Sequence, residues 1–148
     1  MTTLYQQFNA ALQRRLEANL VIAGGIVATE VRRNIQKSPR GGKTYTKKKP
    51  NPRIHKASAA GESPANDLGF LVRSIQVQPD LDNLRIRVVS LFTIAPYARR
   101  LEYGDMARGL QPRPFMFKSL AAKKQKAEDL MKKALNAAIR DMQGANIQ

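Results

Sequence analysis

The sequence predicts an α+β fold in which two long helices pack against a small antiparallel sheet of about three or four strands. Apolar residues recur at helical spacing near both ends of the 148-residue chain, and an alternating, β-branched stretch lies between them. This length is typical of one domain, so we expect a single domain over residues 1–148. Its predicted segments are a helix at 4–36, a basic loop at 38–66, a hairpin at 69–95, a junction at 97–114 and a helix at 115–142.

The first helix is predicted over residues 4–36. From Phe8 to Ile35, apolar residues recur three and four positions apart, which places them in one stripe along an otherwise polar helix. The Gly24-Gly25 pair lies inside this stripe, and each glycine in a helix interior costs up to about 1 kcal/mol relative to alanine. We expect a bend, a break or a close backbone contact at that point.

Residues 38–66 form a long basic segment, which we call the arm. They show no periodicity and are rich in Pro, Gly, Lys and Ser, and ten Lys or Arg residues but no acid occur between Arg32 and Lys56. A loop this long without secondary structure is uncommon in a compact domain unless it has a function. Because such a segment buries little apolar surface, we expect a neighbouring subunit or another partner to hold it.

The arm is the candidate interaction surface. The chain has a net charge of +15 from 26 basic and 11 acidic residues, which indicates nucleic acid, an acidic protein face or an anionic membrane as partner. Tyr45 is the single aromatic residue of the arm, so base stacking is not predicted; phosphate contact without sequence readout is the form expected for nucleic acid. The residues assigned to this surface are Lys43, Lys47, Lys48, Lys49, Arg53 and Lys56.

The middle of the chain predicts an antiparallel hairpin. Residues 69–78 and 84–92 alternate between two faces, and the polar residues 79–83 suit a turn between them. Two strands alone would be marginal. We therefore expect a third short strand at residues 93–95 or just after Gly104.

The closing helix is predicted over residues 115–142. Pro114 suits the first helical position, because its fixed φ matches the helix and its missing N–H would have no partner there. An apolar stripe extends from Phe115 to Met142, and most of the lysines lie off it. Gly144 suits the end of the helix.

No residue pattern predicts catalysis or a bound cofactor. The chain has no cysteine and one histidine, His55, which excludes a thiolate zinc site, a thiol nucleophile and most histidine-rich metal sites. The sequence Gly41-Gly42-Lys43 resembles the end of a phosphate-binding P-loop, but Lys37 occupies the position of the first glycine and a helix precedes it. Nucleotide binding is therefore not predicted.

Two close acidic pairs were considered as catalytic groups. Glu128 and Asp129 fit the exposed face of a lysine-rich helix, whereas Glu102 and Asp105 flank a glycine turn, where carboxylates more often accept backbone N–H groups. We therefore predict that the protein is not an enzyme. No apolar run approaches the roughly 20 residues of a spanning helix, and no signal-peptide pattern is present, so we expect a protein made and used in solution, with no membrane partner.

Three stretches, in this order, resemble motifs of one family. Residues 57–65 resemble a Ser-Ala-Pro-Gly-Glu-Pro-Pro loop, residues 67–75 an Asp-Thr-Gly-x-Leu-x-x-Ser-Ile strand start, and residues 97–104 a Tyr-Ala-x-x-Leu-Glu-x-Gly-Thr motif followed by a Pro-Phe helix start. The family is that of small tailed-bacteriophage neck proteins, described as head–tail joining, head–tail connector or tail-completion proteins of siphophages and prophages. The matching residues are Asp67, Gly69, Leu71, Ser74, Ile75, Tyr97, Ala98, Leu101, Glu102, Gly104, Pro114 and Phe115.

The resemblance implies a structural virion protein of the neck or tail, present in the host cytoplasm during assembly. It implies a hexameric ring of identical copies that binds the connector or adaptor on one side and tail-terminator or tail-tube proteins on the other, with non-specific contact to DNA in the channel. Tyr97, Glu102, Gly104, Pro114 and Phe115 are expected to fix the junction. A tail terminator or another tail-assembly protein is one alternative, and a sequence-independent basic DNA-binding protein is an alternative of another class.

Overall fold

The computed structural model describes residues 3–48, 50 and 52–145, and it confirms the α+β class. A short 3₁₀ turn at Met106–Arg108 precedes the last helix. The elements, in chain order, are α1 Leu4–Gln36, β1 Thr44–Lys47, β2 Arg53–Lys56, α2 Phe70–Ser74, β3 Ile75–Asp80, β4 Arg85–Ser90, α3 Ala98–Tyr103 and α4 Met116–Ala145.

α1 is one continuous helix over the predicted range, without a break at the glycine pair. Thr3 and Gln6 form a capping box at its start, in which each side chain accepts the backbone N–H of the other residue, at 3.3 Å and 2.9 Å. The helix continues through Gly24, where the sheet approaches closely. A β-carbon at Gly24 would lie 2.6 Å from Ile86 Cγ1 and 2.9 Å from Val77 Cγ1. Of the three outcomes expected for the glycine pair, the close contact is the one found.

The four strands form two separate antiparallel sheets, β1–β2 and β3–β4, instead of one sheet of three or four strands. The expected third strand is not formed, because residues 93–95 lie in turns and Asp105 makes only an isolated bridge to Leu110. The prediction of an arm without secondary structure is also wrong. β1 and β2 form a hairpin within the arm, in which Tyr45 pairs with His55. Neither strand shows the alternation of apolar residues that predicts a strand.

The first predicted strand of the middle hairpin begins later than expected. Residues 70–74 form the short helix α2, and β3 starts at Ile75. Leu71, Ser74 and Ile75 are buried, and this spacing of three and four fits a helical turn. In the sequence, Leu71 and Ile75 also fit one face of a strand. The turn follows at residues 81–84, so Pro79 and Asp80 belong to β3.

α1 lies between the β3–β4 sheet and α4 and forms the centre of the core. α4 runs antiparallel to α1: Asn34 Nδ2 donates to Ser119 Oγ at 2.9 Å near one end, and Arg15 pairs with Asp141 at 2.7 Å near the other. Among the described residues, no helix combines the length and apolarity that membrane crossing requires. The buried core residues are Val27, Ala28, Val31, Ile35, Leu71, Ile75, Ala95, Ala98 and Phe115.

Candidate functional site

Glu102 on α3 caps the start of α4. Its Oε2 atom accepts the backbone N–H groups of Phe115 and Met116 at 2.8 and 2.9 Å, and its Oε1 atom accepts that of Phe117 at 2.9 Å. The first N–H groups of a helix have no partner inside the helix, and the helix dipole favours a negative charge there. Glu102 is 8% exposed, so this carboxylate is a structural acceptor, as its position beside a glycine turn suggested.

The rest of the junction is held by backbone contacts. The Arg113 N–H donates to Leu101 O at 2.7 Å, and Asp105 and Leu110 exchange backbone hydrogen bonds of 2.8 and 2.9 Å. The Arg108 guanidinium donates to the Asp105 carboxylate at 2.7 Å and thereby lowers the pKa of Asp105. Glu102 and Asp105 therefore have separate structural partners.

Pro114 is not at the first helical position, and this prediction is wrong. α4 begins two residues later at Met116, because the Glu102 carboxylate receives the N–H of Phe115 ahead of the first turn. The Pro114 carbonyl instead accepts the Ser63 hydroxyl at 3.3 Å. Pro114 thus connects the junction to the arm.

The core brings together residues from two of the motif stretches. Leu71 and Ile75 pack in one buried cluster with Ala98 and Phe115, and Leu101 packs against that cluster. The Ser74 and Ser90 hydroxyls are 2.7 Å apart and share a hydrogen bond, which ties α2 to the end of β4. Gly69, at a φ of 79°, is the residue before α2. The resemblance thus falls on residues that hold the sheet to α3 and α4.

Asp67 and Tyr97 line a cavity next to the arm. Asp67 Oδ2 accepts Arg53 at 2.6 Å, and Asp67 Oδ1 is 3.7 Å from His55 Nδ1. Tyr97 lines the same cavity, where burial, followed by the Asp67 charge, raises the pKa of its hydroxyl. His55, on strand β2, therefore lies beside a carboxylate.

The candidate arm residues do not form one free patch. Arg53 is paired with Asp67, and Lys56 lies on the opposite face of the hairpin from Arg53 because it is three positions further along the strand. Lys43, Lys48 and Lys56 are exposed. The Lys47 side chain and Lys49 lie outside the part of the chain that the structure describes.

Glu62 fixes the base of the arm. Its Oε2 atom accepts the N–H groups of Gly41 and Ala59, both at 2.8 Å. The Ala59 bond, followed by the Gly41 bond, lowers the pKa of Glu62, and Lys118 and Lys56 contribute further through their charge. Of the two glycines that resemble a P-loop, Gly41 thus donates its N–H to a carboxylate, whereas Gly42 donates to Ala57 O at 2.9 Å.

An apolar groove opens beside the junction, between β4 and the start of α4. Its volume is about 820 Å³, and Ile86, Val88 and Phe92 line one side while Phe117 and Leu120 line the other. Phe92 and Phe117 are 76% and 74% exposed. Sequence reasoning missed this groove, because Phe117 lies off the apolar stripe of α4 and Phe92 lies beyond the end of β4.

Arginines border the groove, and the β3–β4 turn exposes an acid, Asp82, close to the exposed Arg85. Arg99 and Arg100 border the groove; Arg100 is 3.5 Å from Asp105, whereas Arg99 has no ion pair among the described residues. The β3–β4 turn at residues 81–84 precedes β4 and exposes Asp82, for which the described residues provide neither an ion pair nor a hydrogen bond. Leu84 in that turn has a φ of 45° and is 45% exposed.

No protein-family model, no curated protein and no solved structure matches the chain. Within the described residues, no group of three or more His, Asp or Glu side chains is close enough together to hold a metal ion. The function is therefore inferred from the motifs and contacts of this chain.

Proposed function

We propose that the protein is a structural component of the neck of a tailed bacteriophage, in which copies of it form a ring that joins the head-side connector to the tail. The open apolar groove beside the junction carries this proposal. Ala98, Glu102 and Phe115, which belong to the motif that resembles neck proteins, also line the groove. An exposed apolar groove of this kind is typical of a protein-binding site.

A second copy of the chain is the occupant of the groove in this proposal. Copies that each carry a net charge of +15 repel one another, so their contact requires an apolar surface or local opposite charges. The groove provides the apolar surface and Arg99, while the β3–β4 turn provides Asp82 and the exposed Leu84. The turn of one copy therefore docks into the groove of the next.

Both surfaces adjoin β4: the groove is lined by Ile86, Val88 and Ser90 of the strand, whereas Asp82 and Leu84 lie in the turn that precedes it. Contact between two different surfaces is heterologous, and it generates a closed ring when the rotation between copies closes. The resemblance implies six copies, with connector or adaptor proteins on one side and tail proteins on the other. A tail terminator would use the same ring and differ in the neighbour that it binds.

A charge exchange tests the contact between copies. We expect Asp82→Lys and Arg99→Glu each to convert the ring to monomers, measured as the mass in solution by light scattering, and the double variant to restore the ring. Asp129→Lys and Arg14→Glu are matched controls, because both residues are exposed and lie outside the groove and the turn. A wild-type protein that stays monomeric at every concentration, or a double variant that stays monomeric, would contradict this contact.

The place in the virion needs a separate test. We expect the protein to co-purify with the connector or tail proteins encoded beside it, and Arg99→Glu to lose this co-purification if binding requires the assembled ring. If the wild-type protein bound neither neighbour, the neck proposal would be wrong even if the ring itself formed.

A further inference from the structure

The outer face of α4 carries a row of exposed cations. Positions 118, 126, 133 and 140 fall within a sector about 80° wide when each residue advances the helix by 100°, and position 132 flanks this sector. All five side chains are exposed. The members of this basic face are Lys118, Lys126, Lys132, Lys133 and Arg140.

The ion pairs described for α4 do not include the cations of the basic face. These pairs are made by residues outside the basic face: Lys123 with Glu30 at 3.3 Å, Lys124 with Glu128 at 3.7 Å and Asp141 with Arg15 at 2.7 Å. None of the five cations forms an ion pair in the described part of the chain. Asp129 is the one acid on this face, and it accepts a hydrogen bond from Gln125 at 2.9 Å. The face therefore presents a strong positive field to solvent.

Two cations of the arm, in contrast, interact with nearby acids. Arg53 is bound to Asp67 at 2.6 Å, and the charge of Lys56 acts on Glu62 at the base of the arm. The charge of Lys118 acts on Glu62 as well, so the basic face begins beside the arm and extends away from it along α4. The largest described set of unpaired cations on one element is thus on the last helix, although the densest run in the sequence is in the arm.

We propose that the basic face of α4 binds the phosphate backbone of duplex DNA without reading its sequence. Lys118 and Arg140 are separated by 22 helical residues, or about 33 Å, close to the roughly 34 Å of one turn of B-form DNA. Flexible lysine side chains on a straight helix suit phosphate contacts, which position a protein without specifying bases.

The chemistry of the face favours duplex DNA over other anions. No aromatic side chain lies among the five cations, so the stacking that holds single strands is missing. The same residues offer no large apolar side chain for insertion into a lipid surface. Phe117 and Leu120 project into the groove on another side of α4. DNA binding is therefore compatible with the proposed ring and does not depend on it.

The test is the binding of two unrelated 30-base-pair duplexes, followed by fluorescence anisotropy between 50 and 200 mM salt. For five phosphate contacts per protomer, the logarithm of affinity should fall with a slope of about 4.5 against the logarithm of salt, which is a loss of about 500-fold over this range. Both duplexes should bind equally. The triple variant Lys126→Gln, Lys133→Gln, Arg140→Gln should reduce the slope to about 2, and glutamine preserves helix propensity.

The matched control removes three charges from the arm by Lys43→Gln, Lys48→Gln and Lys56→Gln. It should leave the slope near 4.5, and circular dichroism checks that both triple variants are folded. An equal loss of DNA affinity in the two variants would show that net charge alone determines binding. A loss of affinity in the arm variant alone would place the DNA contact in the arm. Either result overturns the proposal. So would binding to phosphatidylserine vesicles with the same affinity and the same dependence on the α4 lysines. The helix variant should keep the mass of the wild type, so that loss of DNA binding and loss of the ring are distinguished.

Discussion

The junction at residues 97–114 and the arm at residues 38–66 are each held by a carboxylate that accepts backbone N–H groups, but the two carboxylates differ in burial. In the junction, the nearly buried carboxylate of Glu102 receives three backbone N–H groups next to the buried Phe115 ring. In the arm, Glu62 performs a similar task for two N–H groups, but at the surface of the protein. The two carboxylates thus provide a direct comparison of one chemistry in a buried and an exposed setting.

The difference lies in what water can replace. A backbone N–H that loses a buried acceptor remains unsatisfied, which costs about 1–3 kcal/mol, whereas an exposed N–H finds water. Damage to the junction should therefore lower the stability of the whole domain. Damage to the arm should remain local, because its hairpin opens without exposing the core.

Replacement of Glu102 should have the largest effect. Glu102→Ala leaves the start of α4 without its acceptors and should lower the free energy of unfolding by about 4 kcal/mol, while Glu102→Gln keeps one acceptor oxygen and should cost about half as much. Urea denaturation measures both values. Glu62→Ala is the matched control and should leave the midpoint almost unchanged. Equal shifts for Glu102→Ala and Glu62→Ala would contradict the distinction between the two regions.

A pair of glycines makes the same comparison through the backbone. Gly104 in the junction and Gly61 in the arm have φ values of 80° and 77°, but a β-carbon at Gly104 would lie 2.8 Å from Leu110 O, whereas one at Gly61 meets nothing within 4 Å. Gly104→Ala should therefore cost about 3 kcal/mol and Gly61→Ala about 1 kcal/mol. In thermal unfolding, these values correspond to decreases in Tm of about 9 °C and about 3 °C. Similar decreases would show that φ alone, without the contact, sets the cost.

The parts of the fold that follow from local periodicity could be predicted from the sequence. The stripes of α1 and α4 and the alternation of β3 and β4 are local patterns, and each appears in the structure. That Glu102 accepts backbone N–H groups could also be predicted from its place beside a glycine turn, but its donors could not, because they are the first N–H groups of α4 and not those of the turn. α2 could not be predicted, because Leu71, Ile75 and Val77 also fit one face of a strand, and only the burial of Ser74 on the other face favours a helical turn.

The interaction surfaces could be predicted only in part, because they depend on contacts between distant residues. The sequence shows ten cations between Arg32 and Lys56, but not that Asp67 binds Arg53. It also does not show that Lys123 reaches Glu30 across the helix pair, whereas the five cations of the basic face form no ion pair among the described residues. The groove depends on the distance between Phe92 and Phe117, which no local pattern reports.

The smallest expected effect is a loosening of the arm in acid. Hydrogen bonds from Ala59 and Gly41 lower the pKa of Glu62 below its ordinary value of 4.5. A carboxylate whose pKa is lower in the folded state stabilises the fold above its unfolded pKa, and this contribution is lost as the pH falls through the folded pKa. The base of the arm should therefore loosen below about pH 4, while both helices remain folded.

Hydrogen exchange at pH 6 and pH 3, corrected for the intrinsic rate at each pH, measures this loosening. The protection of the Gly41 and Ala59 amides should decrease at the lower pH in the wild-type protein. In Glu62→Gln, the protection of these amides should be the same at both pH values, because the uncharged side chain has no charge to lose. If the wild-type amides kept the same protection at pH 3, the hairpin contacts of the arm, and not Glu62, would hold its base. The arm would then be held mainly by backbone hydrogen bonds, like the part of the junction between Leu101 and Arg113. The two regions would then differ only in burial.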